Sequence, residues 1–468
     1  MDILDTTFGS FLTTRLEMRL IGTSSDYNSD SISIDSLATY LHEHIHFFQA
    51  VFTGYGHIQW DSHRQLTSFI LKEWNKFNKL NNVIKLPLAN CNMSPEQAFS
   101  SHYLYETVKE QIKTNQAKFY MQNGSLTLKE IGLHLLQHSW PANPVVEIGG
   151  KHTVIQTKDI LEGHAHFVER NFVEHYCGVD KEKAWGREGL PNQYTNAYDW
   201  FIQECGEIKH DYFPIICDLA LQISWEPLVP QNENEWQSAN PSWRFVKLTR
   251  TLASANNISA LGGIDSWHLN YKKFCSDLLD LCGYKHLDEI LNERLRSFSR
   301  KPKLMEIEKI MKKGIELKIS KPWIGVNPAN DEDELLFLMK EFKTPYIVFE
   351  DGIGSFGPSS VSGGELIFEL QFQTLAAQVF GDFSKQAIAS SKLECAFSKY
   401  NIKNSCEFQN SHGCTGLINP KEGFSFPKTT SSGYNLEGCS FELLLNLMNI
   451  KVEDIEIDFN AKFPFLKL

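Results

Sequence analysis

Apolar and polar positions change their period about thirty-five residues into the chain. Residues 6–22 are rich in Thr, Phe, Leu and Met with partial alternation, and Ile32 and Ile34 alternate with Ser. A period near two predicts two or three short strands there. After Asp35 and Ser36, residue types that cap helices, the apolar positions Leu37, Tyr40, Leu41, Phe48, Val51 and Phe52 recur at helical spacing. This helix is expected to end near Phe52, before Gly54-Tyr55-Gly56. Further helices are expected over 158–176, ending at Gly178, and over 197–223, with a largely helical stretch and turn signals near Pro87 and Pro95 between the first two. Three prolines and several Asn over 225–243 read as a loop or lobe boundary. Helices then cover 242–313, and 315–349 is mixed, with Tyr346–Phe349 a buried strand. A Gly/Ser-rich loop spans 352–364, and helices resume over 365–380. There is no internal repeat. The fold class is therefore α+β and predominantly α-helical, a small N-terminal β element leading into a helical core and a mixed C-terminal lobe. The expected units are 1–225, 242–350 and 365–468.

Composition narrows the class of function. A chain of 468 residues, 42% hydrophobic and with 32 Phe, can bury a large core. Its net charge of −12 argues against nonspecific nucleic-acid binding, which needs Lys and Arg to neutralise phosphates. The basic run Arg294–Lys303 reads as a solvated helix face. The opening Met-Asp-Ile-Leu-Asp has no basic or apolar leader region, and no apolar run nears the ~18 residues that span a bilayer, so neither signal peptide nor membrane partner is expected. Ten dispersed cysteines fit reduced thiols in the cytoplasm.

The chemistry sits on the first helix. In Leu41-His-Glu-His-Ile-His-Phe-Phe-Gln49, His42 and His46 are four apart, so both imidazoles leave one helix face and can reach one ion. Glu43 stands at the edge of that face, where its carboxylate can take a proton from water held by the metal. This is the H-E-x-x-H arrangement. His44 points about 160° away from the pair and is assigned to packing. A hydrolytic zinc site wants a third protein ligand and an open position. Candidates lie in Ile160-Leu-Glu-Gly-His-Ala-His-Phe-Val-Glu169, where Glu162, His166 and Glu169 form one polar stripe at i, i+4 and i+7. Gly163 costs helix stability, roughly 1 kcal/mol against Ala, which makes sense where another helix or the metal comes close.

These two segments resemble the gluzincin class of zinc metallopeptidases. In that class H-E-x-x-H on one helix is followed by Glu-Gly-x-Ala on a second, whose Glu completes the site. The matching positions here are His42, Glu43 and His46, then Glu162, Gly163 and Ala165; Gln49 gives the variant H-E-x-x-H-x-x-Q. The resemblance implies a zincin-like core, His42, His46 and Glu162 as zinc ligands, and Glu43 as general base. It implies a metallopeptidase-like hydrolase acting on a peptide or protein substrate.

Two other functions stay open. Glu43-His-Ile-His46 and Glu207-Ile-Lys-His210 both have E-x-x-H spacing, and with Glu204 nearby they describe a di-metal carboxylate bundle. A non-catalytic interaction protein could keep the metal for stability alone. In the hydrolase reading His210 is the catalytic partner of Glu43, steadying an oxyanion, a role that Tyr194 or Tyr198 could also fill. Cys395, Cys406, Cys414 and Cys439, with His412 nearby, offer a second, structural zinc, although their irregular spacing fits buried free thiols better.

Overall fold

The computed structural model describes residues 9–12, 17–28, 32–60, 84–86, 143–180, 184–185, 190–224, 232–255, 258, 267–342, 346–349, 354–355, 393–394, 417–418 and 455–457. They form an α+β, predominantly helical fold. The alternating N-terminal stretch makes an antiparallel pair, β1 (Gly9–Leu12) and β2 (Glu17–Leu20), followed by a short helix α1 (Ser24–Asn28). Ile32 and Ile34 do not extend the strands. Ser33 caps helix α2 (Ile34–Phe52) instead, its Oγ accepting the Ser36 N–H at 3.0 Å, so Ile34 is already helical and Asp35 and Ser36, expected as the cap, lie in the first turn. Thr53 ends α2: its hydroxyl donates to Gln49 O at 2.6 Å and accepts the Gly56 N–H at 3.1 Å.

Strand β3 (Ile84–Leu86) stands apart from the antiparallel pair β4 (Val145–Ile148) and β5 (Lys151–Val154). Helix α3 (Thr157–Tyr176) follows, with Asp159 accepting the Gln156 N–H at 2.7 Å in its first turn. The continuous helix expected over 197–223 is broken. Helix α4 (Asn192–Cys205) stops at Gly206, whose φ of 78° no β-carbon-bearing residue adopts cheaply. A 3₁₀ turn, Glu207–Tyr212, leads into α5 (Phe213–Leu221), where Pro214 sits in the first turn and its missing N–H costs nothing. The interval read as a loop holds α6 (Glu233–Ala239) and the start of α7 (Pro241–Ser254). Asn232 and Asn240 cap these helices, and Pro241 opens α7 instead of interrupting it.

The remaining helices are α8 (Trp267–Cys282), α9 (Leu287–Ser299), α10 (Glu306–Ser320) and, after a 3₁₀ turn at Pro328–Asn330, α11 (Glu332–Phe342). In the basic run, Arg296, Arg300 and Lys303 are exposed, but Arg294 is completely buried and donates to Ile223 O. Strand β6 (Tyr346–Phe349), foreseen as buried, joins β7 (Gly354–Ser355). The short strands β8 (Leu393–Glu394) and β9 (Leu417–Ile418) pair with each other, and β10 (Ile455–Ile457) pairs in parallel with β3. The helices expected over 365–380 and the Cys395, Cys406, Cys414 and Cys439 group lie outside the described residues. Among the described residues no helix is long and apolar enough to cross a membrane.

Strand order β1-β2-β6-β7, with β2 and β6 parallel, brings residues more than three hundred positions apart into one small sheet over α2. Phe11 of β1 meets Phe47 edge-on at 6.2 Å. One apolar core runs from Leu41 to Phe342, through both sides of the 225–242 interval. Helix α2 lies at its centre, touching α3, α10, β1 and β2. Helix α10 approaches α2 so closely at Gly314 that a β-carbon there would fall 2.6 Å from Val51 Cγ1 and 2.8 Å from Val51 O. Gly163, expected to admit the metal or a helix, faces α4 and α5: a β-carbon would make ordinary contacts of 3.4 Å with Phe213 and 3.6 Å with Ala197. The two glycines should therefore respond oppositely to alanine. Gly314→Ala is expected to lose about 1–3 kcal/mol through overpacking against backbone. Gly163→Ala should be neutral or gain up to about 1 kcal/mol in helix propensity. Urea unfolding of both variants measures this, and equal responses would contradict the packing described.

Candidate metal centre

Helices α2 and α3 pack side by side, and each contributes one buried polar stripe to the seam. His42 and His46, one turn apart on α2, direct their Nε2 atoms to the same point, 3.2 Å from each other. Glu162 of α3 enters between them, its Oε2 3.2 Å from each Nε2. Three donor atoms thus form an equilateral triangle. An ion bonded at about 2.0–2.1 Å in tetrahedral geometry needs ligands about 3.3 Å apart, so His42, His46 and Glu162 can hold one.

The outer ring nitrogens decide what the inner ones present. His42 Nδ1 lies 3.1 Å from Glu169 Oε2, an acceptor only, so this nitrogen carries the hydrogen. His46 Nδ1 lies 2.8 Å from Gln49 Oε1. The Gln49 amide is oriented by its other end, where Nε2 donates to Leu161 O at 3.0 Å and to His164 Nδ1 at 3.2 Å. Its oxygen therefore faces His46, and His46 Nδ1 also carries a hydrogen. In their neutral forms both imidazoles point an Nε2 lone pair at Glu162, a metal-ligating arrangement with both outer nitrogens anchored.

Electrostatics favour a cation here. Glu43, Glu162 and Glu169 are buried or nearly so at one seam. Burial alone would raise the Glu162 pKa, but His46 and His42 hold its carboxyl well below the usual range. Glu169 is likewise held low against burial by His166 and His42. Burial alone would lower the pKa of His42, but its hydrogen bonds to Glu162 and Glu169 push it up to about 10. Glu43 is pushed above its ordinary value by burial, which outweighs His46 and His42. Its Oε2 is buried and has no hydrogen-bond partner among the described residues. An orphaned carboxylate oxygen beside two imidazoles is costly unless a positive charge or water meets it.

A second grouping shares His42: its Nδ1, His166 Nδ1 and Glu169 Oε2 also lie within ligand distance of one another. Chemistry separates the two. The other Glu169 oxygen already accepts from Arg170 Nη2 at 2.6 Å, and this guanidinium sits where a second dication would have to be tolerated. His42 could serve two ions only as an imidazolate. Glu169 is better understood as the carboxylate that holds His42 in its Nδ1–H tautomer, with Arg170 and His166 holding Glu169 in turn. The geometry thus brings Glu162 to the inner nitrogens and leaves His166 on the outer side.

Other sequence candidates fall in different places. His44 is buried, donates from Nδ1 to Tyr40 O at 3.0 Å and packs on Tyr40 and Phe48; burial brings its pKa down to about 4. Tyr194 of α4 reaches the centre, with its ring 5.6 Å from that of His42 and 5.7 Å from that of His166. His210 does not. It sits in the 3₁₀ turn after Gly206, against Phe167, Trp185 and Tyr198, where its Nδ1 is 3.1 Å from Tyr198 Oη and its Nε2 3.2 Å from Asp211. Glu204 and Glu207 are exposed, so the second E-x-x-H pair of a di-metal bundle is not assembled at this centre. The break at Gly206 turns that segment away. His164 went unnoticed in sequence because it falls off the stripe of Glu162, His166 and Glu169, on another face of the helix.

Compared with known proteins, the chain matches no family model, no curated protein and no solved structure.

Proposed function

We propose that this chain is a zinc-dependent, metallopeptidase-like hydrolase of gluzincin type, cleaving a peptide or amide bond. The observation that carries the reading is the triangle of His42 Nε2, His46 Nε2 and Glu162 Oε2 beside the unpartnered carboxylate oxygen of Glu43. Bound by these ligands, zinc supplies a Lewis acid that polarises a carbonyl and makes water acidic near neutral pH.

The protein's own groups do the rest. Glu43 takes the proton of the attacking water and returns it to the leaving nitrogen, and its Oε2, with no hydrogen-bond partner among the described residues, is open to that water. Tyr194 takes the oxyanion role considered for His210 and Tyr198. Burial and then the charge of Glu162 hold its hydroxyl above its ordinary pKa, so it stays a hydrogen-bond donor. Glu169 and Gln49 keep the two imidazoles aimed. The same reading keeps the chain in the cytoplasm, in line with the free thiols Cys217, Cys275 and Cys282.

Purified protein is expected to bind about one zinc per chain, and His42→Ala should abolish this uptake. Glu169→Gln should weaken zinc binding by roughly 10–100-fold, as loss of a ligand-orienting carboxylate does, whereas His210→Ala should leave it unchanged. Competition with a chromogenic chelator measures all three, and absence of zinc uptake by the parent chain would remove the metal centre.

Catalysis is tested separately. Glu43→Gln keeps the shape of the side chain and removes the base. It is expected to retain zinc and thermal stability while peptide-library cleavage falls by about 10²-fold or more. Zinc loss in this variant would make Glu43 a ligand and favour a two-ion centre. Unchanged zinc with no cleavage by the parent chain would leave a metal-stabilised interaction protein.

A further inference from the structure

We propose that His164 is a positioning residue for the metal centre: through Gln49 it transmits the position of the Val326 carbonyl to the ring of His46. This deepens the metal-site reading and rests on it. His164 lies on α3, one turn past Ile160, and is buried. Its Nε2 is 2.6 Å from Val326 O, which can only accept, so Nε2 carries the hydrogen. Its Nδ1 is then a lone pair and accepts the Gln49 Nε2–H at 3.2 Å. Gln49 Oε1 accepts the His46 Nδ1–H at 2.8 Å, and His46 Nε2 faces the centre. Every bond in this chain runs in one direction, so each hydrogen fixes the next.

The far end is a firm anchor. The segment 321–331 joins α10 to α11. Lys318 Nζ, fully buried and paired with Asp218 at 2.8 Å, donates to Ile324 O at 3.4 Å. The Gly325 N–H donates to Glu334 Oε1 at 3.0 Å, the Val326 N–H to Trp323 O at 3.1 Å, and Val326 has no exposed surface. The near end needs such an anchor. His42 is held by a carboxylate, whereas His46 is held by a neutral amide, and a flipped Gln49 would set its NH₂ against the His46 N–H. Leu161 O and His164 Nδ1 each accept one amide hydrogen, so a flip would break both bonds. A core histidine that only met Val326 O would have no use for the acceptor at Nδ1, which here takes the Gln49 amide hydrogen.

Two measurements on the full chain test the relay. In the metal-free protein, ¹⁵N-histidine NMR should show His164 as the neutral Nε2–H tautomer; the Nδ1–H form would overturn the proposal whether or not zinc binds. Zinc affinity, by chelator competition, is then compared for the parent chain, Gln49→Met, His164→Phe and the double variant. Gln49→Met should lose about 10–100-fold and His164→Phe about 10-fold, the range for residues that orient a ligand. The double variant should bind no more weakly than Gln49→Met, because both changes cut one chain. His164→Phe binding like the parent, or losses that multiply in full, would overturn the relay. A parent chain that takes up no zinc would instead remove the metal reading, leaving the tautomer result to decide the hydrogen-bond chain. Should His164→Phe not fold, His164→Gln, which keeps a donor for Val326 O and loses the acceptor at the Nδ1 position, should still weaken zinc binding.

Discussion

Two helices that pack through charged residues need something to hold the charge. The seam of α2 and α3 buries His42, Glu43 and Glu169 and nearly buries His46 and Glu162. In a low-dielectric interior such groups are tolerated only when each meets a complementary partner. The seam meets this condition only in part within itself: Glu169 takes the outer nitrogen of His42 and the Arg170 guanidinium, whereas Glu162 faces two inner nitrogens that offer it a hydrogen only when the rings are protonated. Among the described residues Glu43 Oε2 likewise has no hydrogen-bond partner.

The two imidazoles are supported in different ways, with chemical consequences. A carboxylate behind His42 makes that ring a stronger electron donor, and Arg170 behind the carboxylate limits the negative charge the site accumulates. An amide behind His46 orients the ring without adding charge. In the proposed centre, one ligand carboxylate and one supporting carboxylate would leave a bound metal more Lewis-acidic than a ring of anions would.

The scaffold holds this seam from three directions. Helix α10 presses on α2 at Gly314, the β1-β2-β6-β7 sheet covers another face, and Gln222 of the chain after α5 donates to Phe52 O at the helix end. Asp218, which accepts from the same Gln222, pairs with Lys318, so the buried ion pair and the end of α2 share one neighbourhood. From Leu41 to Phe52 every residue of α2 except His46 is buried, the packing that close placement of three donor atoms requires.

How much of this was legible in sequence depends on distance along the chain. His42, Glu43 and His46 lie within five residues, so helical geometry alone fixes their relation, and the apolar positions around them mark the helix. The β1–β2 pair, α2, α3 and the strand at Tyr346–Phe349 follow from residue pattern for the same local reason, although the cap of α2 is Ser33 and not Asp35 or Ser36. Glu162 is 116 residues from His46, and only resemblance to a known motif pointed to it over His166; the packing angle of α3 on α2 brings Glu162 to the inner nitrogens. His210 has fitting spacing, but the backbone turn at Gly206, permitted by its left-handed φ, carries it to an aromatic cluster. His164 and Val326 contribute through one hydrogen bond across 162 residues. Local propensity and periodicity decide which face of a helix a residue occupies. Only tertiary packing decides what that face meets, because partner, tautomer and charge state all depend on atoms that chain order leaves unspecified.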